Sequence, residues 1–272
     1  MYKRFAYIVA LIALFIGASP SWALKFHAAF DPIIVAVKAG SVINRTFTLT
    51  LADDEQQTQF KLHIEDWWRS EDGKQSFYRK SGTVPQSCGR WITVNPVEQQ
   101  VNPGQTLTAR LSIIVPPDAK TGGYWCALTV NEVPNPEAVK PEGVGIVFNT
   151  SISIPIFVFI SPIDRAAKFL DLQVNGDTVA VKLRNTGNCP LLTKGRFEFV
   201  RPGEKTPAAV VPISLGALFL SPVDTRIFTE ALPPIEKLPS GRYLVRVVLD
   251  IGLDHYLGVN KTIDVNRNLA KK

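Results

Sequence analysis

The chain of 272 residues carries 30 lysines and arginines against 24 aspartates and glutamates, which gives a formal net charge of +6. The cations are scattered among the acids rather than clustered, so the charge pattern argues against nucleic-acid binding. The length is enough for one large domain or two ordinary ones.

The first residues have the pattern of a signal peptide. Lys3 and Arg4 form a positive n-region, and residues 5–17 are an unbroken apolar run. Small residues ending at Ala23 fit a signal peptidase site, so residues 1–23 are predicted to be removed. The apolar run of about 13 residues is shorter than the roughly 20 that span a bilayer as a helix. The pattern therefore favours export to the periplasm, with the cell surface as the alternative.

The rest of the chain shows the period-two alternation of apolar and polar residues that is typical of β-strands. Phe47, Leu49 and Leu51 alternate with threonines. The same alternation covers residues 60–65, 107–115, 124–130, 179–183, 197–200 and 243–249. The most apolar stretch, 143–162, is interrupted by polar residues and Pro155, so it is predicted as a strand and not as a transmembrane segment. Many short strands separated by turn residues predict an all-β fold of the sandwich type.

A domain boundary is predicted at residues 161–168, where the long apolar strand ends and polar residues precede a fresh alternating segment. The prediction is two immunoglobulin-like β-sandwich domains, residues 24–162 and 163–272. Each half also has a late turn rich in Pro and Gly that leads into a strand containing tyrosine. These hairpins, 116–130 and 238–250, suggest equivalent strands of a duplicated fold.

Three cysteines follow the predicted signal peptide, as expected for a chain that reaches an oxidising compartment. Cys88 and Cys126 lie in the same predicted domain, so they are predicted to form a disulfide. The alternative is that all three are reduced and buried as small apolar residues. Cys189 is the leftover thiol.

Enzyme signatures are missing from the sequence. His27, His63 and His255 have no metal-ligand spacing, and no nucleophile elbow, phosphate loop or dinucleotide fingerprint occurs. Glu65 and Asp66 are interpreted as solvated acids, because neighbouring strand residues point to opposite faces. No enzyme activity and no cofactor or metal is therefore predicted.

Two adjacent tryptophans, Trp67 and Trp68, leave one further alternative open. They would suit an aromatic platform for a sugar, with at least one of them expected in the core.

Residues 91–134 resemble the first domain of PapD-type periplasmic pilus chaperones. They contain an apolar segment, a Pro-Gly turn, an alternating strand, a proline-rich connection and the ending Asn-Glu-Val-Pro at 131–134. A variable loop, 135–142, and a long last strand ending near Pro162 follow in the same order. The segments 183–192 and 238–252 are similar to a second sandwich domain of this class. The resemblance implies a non-enzymatic factor that binds another exported polypeptide, such as a pilin-like subunit or envelope protein.

Family chaperones also place two basic residues in the cleft between the domains, where they bind a carboxylate of the subunit. The aligned positions here are Val35 and Pro155, and neither is basic. Lys38 and Arg165 are the nearest basic residues in sequence. The resemblance therefore leaves open whether this chain has a basic site in the cleft.

The resemblance also implies that the long strand, residues 144–160, is an edge that recruits a partner strand. Pro155 supports an edge position, because proline lacks the N–H that a central strand donates. Pro155 also limits continuous pairing with a partner to residues 148–154. The predicted contact residues alternate along this segment and are Phe148, Thr150, Ile152 and Ile154. The alternative is that they are ordinary core residues of an edge strand.

A second group is also similar: surface proteins of Gram-positive bacteria with tandem immunoglobulin-like domains. They share the spacing of a Trp-Ile pair, a Pro-Gly turn and a Gly-x-Tyr-Trp strand. The predicted function is a chaperone-like role in assembly of pili or another surface structure by strand pairing. The alternative is a surface-exposed adhesin or a binder of the cell wall, and a glycan-active enzyme is the third hypothesis.

Overall fold

The computed structural model describes residues 24–28, 31–133 and 149–267. The predicted signal peptide, 1–23, and Phe148 lie outside these ranges. Within them the regular structure consists of β-strands and one short 3-10 turn, Gly89–Trp91. The predicted all-β class is confirmed.

The first sandwich is built from two sheets. The first sheet has the strand order β1-β3-β8-β6, and the second has the order β2-β10-β9-β4-β5, with β7 also pairing with β4. The strands are β1 (Phe26–Ala28), β2 (Ile33–Val37), β3 (Val42–Leu51), β4 (Thr58–Arg69), β5 (Gln75–Tyr78), β6 (Ile92–Asn95), β7 (Glu98–Val101), β8 (Thr106–Ile114), β9 (Gly122–Val133) and β10 (Ser151–Ile160). The pairing of β2 with β10 is parallel, whereas β10 runs antiparallel to β9.

The core of the first sandwich lies between these sheets, as the alternation predicts. Phe47, Leu49 and Leu51 of β3 are buried, and their neighbouring threonines face outward. Ile154 and Ile156 of β10 reach the same core from the second sheet. Truncating a buried residue of this kind to alanine costs about 2–5 kcal/mol.

The second sandwich also consists of two sheets, with the strand orders β11-β12-β15 and β14-β13-β16-β17. Its strands are β11 (Ala167–Asn175), β12 (Thr178–Asn185), β13 (Leu191–Val200), β14 (Ala209–Leu218), β15 (Thr225–Ala231), β16 (Gly241–Asp250) and β17 (Leu257–Val265). Every strand pairing in the described ranges stays on one side of residues 161–166, within the predicted boundary.

One tyrosine in each sandwich has the same local geometry. Tyr124 donates its hydroxyl to the carbonyl of Lys120 at 3.0 Å, and Tyr243 donates to the carbonyl of Pro239 at 3.0 Å. A tyrosine that bonds back to the backbone a few residues upstream is typical of immunoglobulin-like sandwiches. The two late turns thus share this tyrosine contact, and their equivalence as hairpins stays a prediction.

The outer face of the second sheet is divided into two halves of opposite chemistry. The covered half consists of Trp67, Trp125, Ala127, Phe157 and Phe159, which are buried together with core residues of the second sandwich. The open half consists of His63, Glu65, Thr129, Asn131, Ser151 and Ser153. The change from one half to the other occurs within single strands.

The second sandwich contacts the covered half through Phe219. Its ring centroid lies 5.0 Å from that of Trp67 and 4.8 Å from that of Trp125. The two sandwiches also approach closely at Gly123, whose N–H donates to the carbonyl of Asn188 at 2.9 Å. A Cβ at Gly123 would lie 2.3 Å from Cδ of Pro190, so only glycine fits there. The sandwiches therefore share one buried cluster, and independent folding of each half stays a prediction.

Trp67 and Trp68 form no exposed sugar platform. Trp67 is 2% exposed, and its Nε1 donates to the carbonyl of Cys126 at 3.0 Å. Trp68 packs edge-on against Tyr78, with ring centroids 5.8 Å apart. Both rings are used in packing because β4 places one on each face of the sheet.

Candidate functional site: a half-open strand edge

Strand β10 has a partner on both sides over only half of its length. It pairs with β9 along all of Ser151–Ile160, whereas β2 pairs with it only over Ile156–Ile160. In the described part of the chain, the segment Ser151–Pro155 therefore has a free edge. The sequence predicted an edge over the whole strand, and that is wrong for Ile156–Ile160 because β2 lies there.

The direction of the backbone groups follows from one hydrogen bond at the start of the strand. The N–H of Glu132 in β9 donates to the carbonyl of Thr150 at 2.9 Å. In an antiparallel ladder, alternate residues direct both backbone groups to the same partner. Ile152 and Ile154 therefore bond to β9, whereas Ser151 and Ser153 direct their N–H and C=O groups to the free side.

Pro155 is the next residue that faces the free side. Because proline has no N–H, this position offers a carbonyl but no donor, and the ladder to β9 loses nothing. The free edge thus presents donors and acceptors at Ser151 and Ser153 and then stops just before β2 begins to pair.

The predicted contact residues lie at or near this edge, but their side chains differ in exposure. Ile152 is half-buried and Ile154 is 1% exposed, so both pack on the first core. Thr150 precedes β10, and its N–H donates to Oε2 of Glu132 at 3.0 Å. Thr150, Ile152 and Ile154 thus lie at or along the start of β10, whereas Phe148 is outside the described ranges. Their role in partner binding stays a prediction.

Neither of the two positions that align with the basic residues of PapD-type chaperones carries a charge in this chain. Val35 is buried in the first core, and Pro155 lies at the end of the free edge. Of the two nearby cations, Lys38 is exposed at a turn, and Arg165 stacks over the ring of Phe159 at 5.6 Å.

Two other arginines, one from each sandwich, meet near the tip of the β4–β5 hairpin. The guanidinium of Arg226 donates to the carbonyl of Ala217 at 2.8 Å and lies over the ring of Phe228 at 4.6 Å. Burial, together with the charge of Arg69, lowers the pKa of Arg226 to about 10. It therefore stays charged at neutral pH. No local pattern in the sequence indicates this pair, because Arg69 and Arg226 are far apart in the chain.

A polar concavity of about 470 Å³ lies on the open half of the second sheet. Its lining residues come from four neighbouring strands and the residue after β5. They are His63, Glu65, Gln75, Phe77, Arg79, Thr129, Asn131, Ser151 and Ser153. The concavity therefore begins beside the free edge and extends across the sheet.

The interpretation of Glu65 and Asp66 as solvated acids is wrong, since both are buried. Asp66 Oδ2 accepts from the backbone N–H groups of Gly82, Thr83 and Val84 at 2.9, 2.7 and 2.9 Å. This carboxylate fixes the loop that follows β5. Glu65 points to the opposite face and lines the concavity.

Cys88 and Cys126 lie next to each other in the first core as free thiols, with their Sγ atoms 3.0 Å apart. Burial raises the pKa of the Cys126 thiol. The predicted disulfide stays a prediction. Cys189 is buried in the second sandwich, and burial raises its pKa as well.

Two kinds of feature are absent from the described residues. No group of three or more His, Cys, Asp or Glu side chains in these ranges has an arrangement that could hold a metal ion. No helix in the same ranges has the length and apolar character needed to cross a membrane.

Comparison with known proteins gave matches among solved structures only. No family model matches the sequence, and no curated protein matches it. The CupB2 chaperone of Pseudomonas aeruginosa has 13% identity and a TM-score of 0.46, with 88% of this chain and all of that chain covered. The complex of the Salmonella enterica SafA pilin with the SafB chaperone gives 13% and 0.47, covering 89% and 98%. The E. coli chaperone DraB gives 13% and 0.44, also covering 89% and 98%.

Identities of this size concern the fold alone. Several of the similar solved structures are bacterial chaperones, and another is a PapD-like domain of human CEP192.

Proposed function

We propose that this protein is an exported, non-enzymatic chaperone-like factor that binds an extended segment of another exported polypeptide along the free edge of β10. The observation that carries this proposal is that β10 is paired on both sides over Ile156–Ile160 and on one side over Ser151–Pro155. A partner strand would lie in line with β2 and continue the sheet. Its backbone would satisfy the free groups of Ser151 and Ser153.

Pro155 sets one end of the edge. Within Ser151–Pro155, two residues offer both a donor and an acceptor, and Pro155 ends the row of donors. A proline on an edge limits uncontrolled strand addition. In this proposal the partner is a pilin-like subunit or an envelope protein, and the place of action is the periplasm.

The experiment replaces a residue whose N–H faces the free side. Ser153→Pro removes that N–H, while the bonds of Ile152 and Ile154 to β9 remain. Ser153→Ala is the matched control, since it removes only the side-chain hydroxyl. Periplasmic extract of the native host is passed over each immobilised protein, and captured proteins are identified by mass spectrometry.

We expect Ser153→Ala to retain the partner and Ser153→Pro to lose it by about tenfold or more, the effect of roughly one or two net hydrogen bonds. Circular dichroism confirms that both variants are folded. If folded Ser153→Pro protein captures the same partner as the unmodified chain, then this edge is not the binding surface.

A further inference from the structure

The polar concavity on the open half has features that strand pairing does not use. Strand pairing needs only the backbone at the edge of β10, whereas the concavity extends over β9, β4 and β5. Its volume of about 470 Å³ falls within the range of small-molecule sites, about 300–1,000 Å³. A ligand in the concavity therefore need not be the partner strand.

The floor of the concavity is a fixed hydrogen-bonded row. Glu65 has a side chain that is 8% exposed and accepts a hydrogen bond from the hydroxyl of Thr129. The hydroxyls of Thr129 and Ser153 are 2.8 Å apart. His63 Nε2 lies 3.5 Å from Glu65 Oε2. Because these groups hold one another in place, the floor presents a carboxylate and hydroxyls at fixed positions.

The rim supplies complementary groups from β5. Phe77 is 43% exposed, and Trp67 is stacked behind its ring at a centroid distance of 6.3 Å. Gln75 and Arg79 are exposed on either side of Phe77 in sequence. Within the described ranges, Arg79 forms no ion pair, so its guanidinium is available as a donor.

These groups together select the chemistry of a ligand. One carboxylate and one guanidinium balance each other, so the lining does not favour a strongly charged ligand of either sign. The floor accepts hydrogen bonds, and the rim adds hydrogen-bond donors and a flat aromatic ring. A saccharide matches all three, because its hydroxyls both donate and accept and the C–H face of its ring packs on an aromatic ring.

We propose that this concavity is a binding site for a neutral saccharide of one or two rings. Phe77 supplies the stacking surface, Glu65 accepts sugar hydroxyls, and Arg79 and Gln75 donate to sugar oxygens. The site is distinct from the free edge, although Ser151 and Ser153 border both.

The test titrates the intact mature chain with glucose, galactose, N-acetylglucosamine and their β-linked disaccharides. Amide chemical shifts are followed by NMR. At least one of these sugars should give saturable shifts confined to residues 63–65, 75–79 and 129–131. Phe77→Ala should weaken that binding by about tenfold, as expected for loss of an aromatic contact of about 1.4 kcal/mol. Phe77→Tyr should retain it.

Tyr256→Ala is the control, because Tyr256 is 67% exposed in the second sandwich and should not affect sugar binding. The proposal is overturned if none of the sugars shifts these resonances, or if Phe77→Ala binds as tightly as the unmodified chain. A short Gly/Ser-rich peptide is titrated in parallel. If it shifts the same resonances and the sugars do not, the concavity belongs to the polypeptide partner and the saccharide site is rejected. Failure of Ser153→Pro to affect partner capture would leave this result unchanged.

Discussion

The covered and open halves of the second sheet belong to the same strands but serve different ends. Within β10, Phe157 and Phe159 are buried against the second sandwich, whereas Ser151 and Ser153 face outward. Within β4 the change occurs between Glu65 and Trp67. The apolar half holds the two sandwiches together, and the polar half leaves an edge and a concavity accessible. A single sheet thus combines attachment to its neighbour with an open polar face.

The largest expected effect comes from removing the aromatic ring that packs against the covered half. Phe219→Ala removes the ring that packs between Trp67 and Trp125 and should lower the free energy of unfolding by about 3–5 kcal/mol. Urea unfolding followed by tryptophan fluorescence measures this. Tyr256→Ala, on the exposed surface, should change stability by less than about 0.5 kcal/mol. Equal effects of the two changes would mean that the covered half is not a shared core.

The second-largest expected effect concerns the two cysteines in the core of the first sandwich. We predict that Cys88 and Cys126 form a disulfide in protein purified from the periplasm. The closed loop of about 38 residues would contribute roughly 3–4 kcal/mol in the chain-entropy model. Non-reducing peptide mapping after alkylation in urea detects the linked peptides. Recovery of both cysteines as alkylated thiols would contradict the prediction.

Substitutions of Glu65 and Asp66 form a matched pair, because these neighbouring carboxylates lie on opposite faces of β4. Asp66→Asn weakens the hydrogen bonds from three backbone N–H groups and should cost about 2–3 kcal/mol. Glu65→Gln keeps an acceptor for Thr129 and should cost less than about 1 kcal/mol. Urea unfolding at neutral pH compares them. The reverse order would show that Glu65, not Asp66, is the structural carboxylate.

Alternating residues in single segments predicted much of this fold. Phe47, Leu49 and Leu51 specify a half-buried strand without reference to the rest of the chain. The parallel pairing of β2 with β10 joins residues more than 100 positions apart, and no local pattern in Ile33–Val37 indicates it. For this reason the sequence predicted an edge over the full length of the strand, although Pro155 limited the predicted partner pairing to residues 148–154.

The acids were misassigned for a similar reason. Glu65 and Asp66 look like a solvated pair, because their partners Thr129 and the 82–84 backbone are distant in sequence. Period-two geometry correctly places them on opposite faces. It does not reveal that a loop and a neighbouring strand cover those faces. The aromatic ring of Phe77 likewise becomes a candidate contact only once β5 is placed beside β4.

Amide hydrogen exchange of the purified chain tests the half-open edge most directly. The N–H groups of Phe157 and Phe159 face β2, whereas those of Ser151 and Ser153 face the free side. We predict slow exchange at Phe157 and Phe159 and fast exchange at Ser151 and Ser153, with the two serines becoming protected when the partner binds. If Ser151 and Ser153 exchange as slowly as Phe157 and Phe159 in the unbound chain, the edge is already covered and the account is contradicted.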